Sequence, residues 1–110
     1  MSRKSKDSKF ASIANEILNL PDTQLGHGKK GFGQNALNVH GKIFAMLTPA
    51  SEYVVKLPKK RVAGLVASGD GKFFEMANRQ MKEWLALSED SQMDWKQLAI
   101  EAYELTRPNA

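Results

Sequence analysis

The 110-residue sequence contains no cysteine. That excludes disulfides, a thiolate nucleophile and a thiolate metal site. Nor does any run approach the ~18 apolar residues of a membrane-spanning helix. The basic start, Met1 to Lys9, leads into no apolar segment, so no secretory leader is expected. Histidine is confined to His27 and His40, in different loops with no carboxylate at ligand spacing, so neither metal nor cofactor is expected. A cysteine-free chain of this kind suits a reducing, cytoplasmic setting.

What is present is ordinary for one soluble globular domain: 42% hydrophobic and 25% charged residues. A chain of this length buries roughly two-thirds of its unfolded surface and can hold one core. The net charge of +4 is uneven. Residues 1–61 carry 11 Lys/Arg against 4 Asp/Glu, whereas residues 62–110 carry 5 against 8. Such a split can mark an anion-binding face, although basic termini are also commonly just solvated.

Residues 1–8 read as a flexible basic tail, followed by a single domain over 9–107. Phe10, Ile13, Ala14, Ile17 and Leu18 recur at helical spacing, with Ser8 as N-cap and Pro21 as stop. Residues 21–35 form a connection holding four glycines. Period-two patterning then predicts three strands. Leu37 and Val39 share a face, and His40-Gly41 makes a two-residue turn. Ile43, Ala45 and Leu47 oppose Phe44 and Met46, while Tyr53, Val55 and Leu57 oppose Val54 and Lys56. Pro58 starts a short helix with Val62, Leu65 and Val66 inward, ended by Ser68-Gly69-Asp70-Gly71. Phe73 and Phe74 precede a loop. Gln80 to Leu87 is a fourth strand, with Met81, Leu85 and Leu87 on one face. Ser91 can cap a closing helix whose stripe is Trp95, Leu98, Ala99, Ala102 and Leu105. The expected fold is α+β, an antiparallel sheet with flanking helices in the order α-β-β-β-α-β-α.

Four motifs in sequence give this chain a resemblance. The run Gly31-Phe32-Gly33-Gln34-Asn35-Ala36-Leu37-Asn38-Val39-His40-Gly41-Lys42-Ile43-Phe44-Ala45-Met46-Leu47 resembles the phenylalanine-glycine loop and following strand of TfoX N-terminal domains. Val55-Lys56-Leu57-Pro58 is similar to their third strand and helix start. Met81-Lys82-Glu83-Trp84 is similar to their fourth strand, and Trp95 to Tyr103 to their closing helix. The resemblance covers roughly residues 9–106. It implies an α+β fold of the YjbR/TfoX-N kind. It also implies a competence-regulator-like binding module with no agreed catalytic residues. Full-length regulators of that family carry a second domain beyond the span matched here.

The candidate sites are few. Gly26 to Gly31 formally matches G-x-G-x-x-G, but it follows a helix and opens a strand, which is the wrong context for a dinucleotide. The loop can still attract an anion through its backbone N–H groups, Lys29 and Lys30, with Phe32 stacking on a base. Alternatively Phe32 turns into the core. Lys59, Lys60 and Arg61 make a second basic cluster in a first helical turn, where like charge at a positive helix end is mildly unfavourable and suits an anionic partner; the alternative, and the commoner case, is a solubilising surface. No acid, base and nucleophile converge, so no enzymatic activity is expected. The expected role is a non-enzymatic regulatory or binding module touching a protein partner or, weakly, nucleic acid. The alternative is a small-molecule or anion-binding domain using loop 26–33. An exposed edge strand or apolar patch would favour a homodimer.

Overall fold

Apolar residues on both sides of the strands between 36 and 57 require a sheet buried on both faces. The computed structural model, which describes residues 3–26, 36–48, 52–76, 78–88 and 91–109, has such a sheet. Its elements in chain order are α1 (Arg3–Ile17), β1 (Thr23–Leu25), β2 (Ala36–Val39), β3 (Lys42–Leu47) and β4 (Tyr53–Lys56). They continue as α2 (Lys59–Ala67), β5 (Gly71–Met76), β6 (Arg79–Leu87) and α3 (Trp95–Thr106), closed by a 3-10 turn, Arg107–Asn109. The six strands run β1-β2-β3-β4-β6-β5, and every neighbouring pair is antiparallel. The class and the order of the expected elements stand; β1 and β5 are added to them.

All three helices contribute to one core with one face of the sheet. Phe10, Ile13, Ala14 and Ile17 of α1 join Val62 and Leu65 of α2 and Trp95, Leu98, Ala99 and Ala102 of α3. They meet Leu37, Val39, Phe44, Ala45, Leu47, Tyr53, Val55, Leu85 and Leu87. A second cluster holds Ala36, Met46, Val54, Phe74 and Ala86, with Ile43, Met81 and Trp84 packed against it. Lys96 of α3 pairs with Glu16 of α1, tying the two helices at the surface.

Two irregular ladders overturn the expected faces. Leu37 pairs with Ala45 but the next residue, Asn38, pairs with Ile43, so Phe44 is the extra residue of a bulge. Phe44 therefore sits with Ala45 and Leu47, and Ile43 joins Met46 on the other side. Likewise Phe73 pairs with Leu85 while Phe74 pairs with Met81. Met81 is thereby moved away from Leu85 and Leu87 into the second cluster. A period-two reading assumes an unbroken ladder, and each bulge resets it.

The local signals behave as their chemistry requires. His40 (φ 53°) and Gly41 (φ 82°) both take positive φ, the turn that suits the twist of a two-residue hairpin. The N–H groups of Gly69 and Asp70 reach the carbonyls of Val66 and Leu65, closing α2 with Gly69 at φ 86°. Two boundaries differ. α1 begins at Arg3, so Ser8 lies inside it rather than at its N-cap. The cap of α3 is Asp94, which accepts from the N–H groups of Lys96 and Gln97, whereas Ser91 donates to Asp70. Asp94 is one residue from the helix and satisfies its orphan donors directly; Ser91 is too far away.

Asn38 is 1% exposed in the middle of β2, and neither its amide nitrogen nor its oxygen has a hydrogen-bond partner. A buried polar group in that state costs roughly 1–3 kcal/mol. Asn38→Val keeps a strand-favouring residue there and removes both orphan atoms. It is expected to raise stability by about 1 kcal/mol in a urea titration. A loss of stability would show that the amide is satisfied in solution.

Candidate functional site

The three cations in the first turn of α2 are exposed, because Val62 and Leu65 take the inward side of that nine-residue helix. Lys59 and Lys60 have no ion pair among the described residues. Arg61 does: its Nε and Nη2 each lie 3.2 Å from the two carboxylate oxygens of Glu101 on α3. This two-pronged contact fixes the guanidinium against a neighbouring helix, although an exposed pair is worth at most about 1 kcal/mol. The free cationic character of the turn thus rests on Lys59 and Lys60. Lys29, Lys30 and Phe32, with His27, lie outside the described residues.

The N-terminal end of α2 is also chemically open. Pro58 occupies the cap position and no side chain caps the helix. The first intrahelical donor with a partner is Val62, bonding back to the carbonyl of Pro58. Helix N-termini of this kind present unpaired N–H groups and about half a positive charge.

Below this helix start is a cleft of about 400 Å³, a size that suits a small organic molecule. It is lined by Lys42 and Ile43 of β3, Lys56 of β4, Pro58, Glu83 of β6, and Leu105 and Thr106 of α3. Lys56 Nζ lies 3.7 Å from the Glu83 carboxylate and 5.5 Å from the centre of the Trp84 ring. The ring and the carboxylate both hold the ammonium at the wall. Sequence reading did not find this group. Lys42 begins β3 and Lys56 ends β4, both at the open end of that hairpin, and α3 arrives from fifty residues further on. Only the sheet register brings them together.

The other polar candidates have structural work. Ser68 and Ser91 both donate to the Asp70 carboxylate, at 2.7 and 3.0 Å, pinning the turn after α2 to the segment before α3. His40 Nε2 lies 3.5 Å from Asp22, and Arg107 is 3.9 Å from the same carboxylate. Trp95 stacks on Tyr53 inside the core. Among the described residues no three His, Cys, Asp or Glu side chains gather at metal-binding distance. Nor is any described helix long and apolar enough to cross a membrane. At the sheet edge, Leu25 is the one exposed large hydrophobic residue among the described residues, and a single leucine does not make a patch. Set against family models, curated proteins and solved structures, the chain finds no match in any of the three comparisons.

Proposed function

We propose that this chain is a TfoX-N-like, non-enzymatic binding module of the cytoplasm that acts by contact with an anionic partner. The partner favoured by the charge is nucleic acid, touched weakly through its phosphates. The observation that carries the reading is the start of α2, where Lys59 and Lys60 flank an uncapped helix end. The family part is supported by the placement of the motif residues. The strand motif lies on β2 and β3, Val55 to Pro58 runs from β4 into α2, and Met81 to Trp84 lies on β6. Trp95 to Tyr103 lies on α3. Ser68, Ser91, Asp70 and Asp94 hold a turn and a helix cap.

An electrophoretic shift series with duplex DNA tests it. Binding is expected at low salt, falling with added salt at a log–log slope of about −0.9 for each phosphate neutralised. The double variant Lys59→Ala, Lys60→Ala is expected to flatten that slope by nearly two units. No shift at low salt would remove nucleic acid as the partner.

A further inference from the structure

The cleft below α2 has a composition that selects a ligand. Its apolar lining is Ile43, Pro58 and Leu105, and its charged lining is Lys42, Lys56 and Glu83. The N-terminal end of α2 and the C-terminal end of α3 both border it, and their opposite half-charges offset one another. Two ammonium groups then stand against one carboxylate, leaving about one positive charge to be neutralised.

A second observation points the same way. Thr106 lines this cleft, is 3% exposed, and its hydroxyl has no hydrogen-bond partner. Buried hydroxyls in folded proteins almost always find one. A threonine in a helix divides between two side-chain rotamers, so its hydroxyl can swing toward the cleft when an acceptor arrives there. The strand lysines, the uncapped helix and the orphan hydroxyl are all donors. Every one of them is suited to an oxyanion.

We infer that this cleft binds the oxyanion group of a small organic acid, a carboxylate or a phosphate monoester, with Lys42, Lys56 and Thr106 as its donors. The short carbon body lies on Ile43, Pro58 and Leu105. This goes beyond the nucleic-acid reading and stands without it. The site uses neither Lys59 and Lys60 side chains nor the family resemblance.

The test is nuclear magnetic resonance of the full chain, titrated with lactate in one arm and orthophosphate in the other. Constant ionic strength is kept with sodium chloride. Saturable shifts at the backbone amides of Ile43, Glu83 and Thr106 in at least one arm are the expected result, and the arm that saturates identifies the oxyanion. Lys42→Ala and Lys56→Ala should each weaken binding by about fivefold or more. Thr106→Val should weaken it too while leaving the melting temperature unchanged or raised, since it removes an unpaired buried hydroxyl. Lys72→Ala, on the distant β5, should change nothing. If neither probe saturates, or if Lys42→Ala binds as Lys72→Ala does, the assignment is overturned.

Discussion

Tyr53→Ala is expected to cost about 3–5 kcal/mol, enough to leave a domain of ordinary stability largely unfolded at moderate urea. Tyr53 is the point where three elements meet. Its ring stacks on Trp95 of α3 at 4.1 Å with an interplanar angle of 5°, and it meets Phe10 of α1 edge-on at 6.1 Å. Its hydroxyl donates to the backbone carbonyl of Trp95 at 2.8 Å. Removing the ring therefore opens a cavity between the sheet and two helices, and also removes the hydroxyl's bond to the first turn of α3. Tyr53→Phe separates the two contributions. It keeps the stacking and loses the hydrogen bond, for an expected cost of about 1–2 kcal/mol.

The same residue sets an alkaline limit. Burial pushes the Tyr53 phenol well above its ordinary value, and the Asp94 carboxylate adds to the shift. A folded-state pKa above the unfolded one means the contribution is complete below the unfolded value of about 10. It is lost as pH rises beyond that point, because only the unfolded chain can then release the proton. Wild-type stability should fall by about 1.4 kcal/mol per pH unit there from this group. Urea unfolding of Tyr53→Phe across the same alkaline range should lack that component. An equal decline in both proteins would refute the assignment to Tyr53.

Much of the fold is legible from side-chain pattern because burial dictates it. The stripe from Phe10 to Ile17 and the stripe from Trp95 to Ala102 both lie in the core. His40-Gly41 and Gly69 take the backbone angles that their positions demand. The failures have one cause. A bulge is a property of two paired strands, so Phe44 and Met81 cannot be placed from their own strand alone. β1 is three residues with an exposed pattern, and β5 places consecutive phenylalanines in opposite clusters. Neither has the alternation of a half-buried strand. The candidate site divides likewise. Lys59 to Arg61 is visible as a run of charge, but the Glu101 partner of Arg61 comes from forty residues away. The cleft of Lys42, Lys56 and Thr106 exists only after register and helix docking are fixed.

Gly71→Ala is the second large effect, expected to cost about 2–3 kcal/mol although it adds a single methyl group. Sequence reading takes Gly71 as part of the turn after α2, and in the structure it is the first residue of β5, paired with Leu87. A Cβ there would lie 2.7 Å from the backbone carbonyl oxygen of Ala86 and 2.7 Å from Leu85 Cδ1. Leu85 can turn aside only into a packed core. Ala86 is held in the sheet on both sides, pairing with Lys72 of β5 and with Val54 of β4. The strain must therefore be released by drawing β5 away from β6 at its first pair. Among the described residues β5 is an edge strand paired with β6 alone, so it is the element free to move. Hydrogen exchange should show the β5 amides losing protection before those of β3 and β4. Gly69→Ala supplies the contrast. Its Cβ would meet open space, and its cost comes only from φ 86°, a conformation that costs a side-chain-bearing residue roughly 1–2 kcal/mol. Its damage should stay at the end of α2 and leave β5 protected. If Gly71→Ala proves harmless, β5 does not sit against β6 as closely as this register requires.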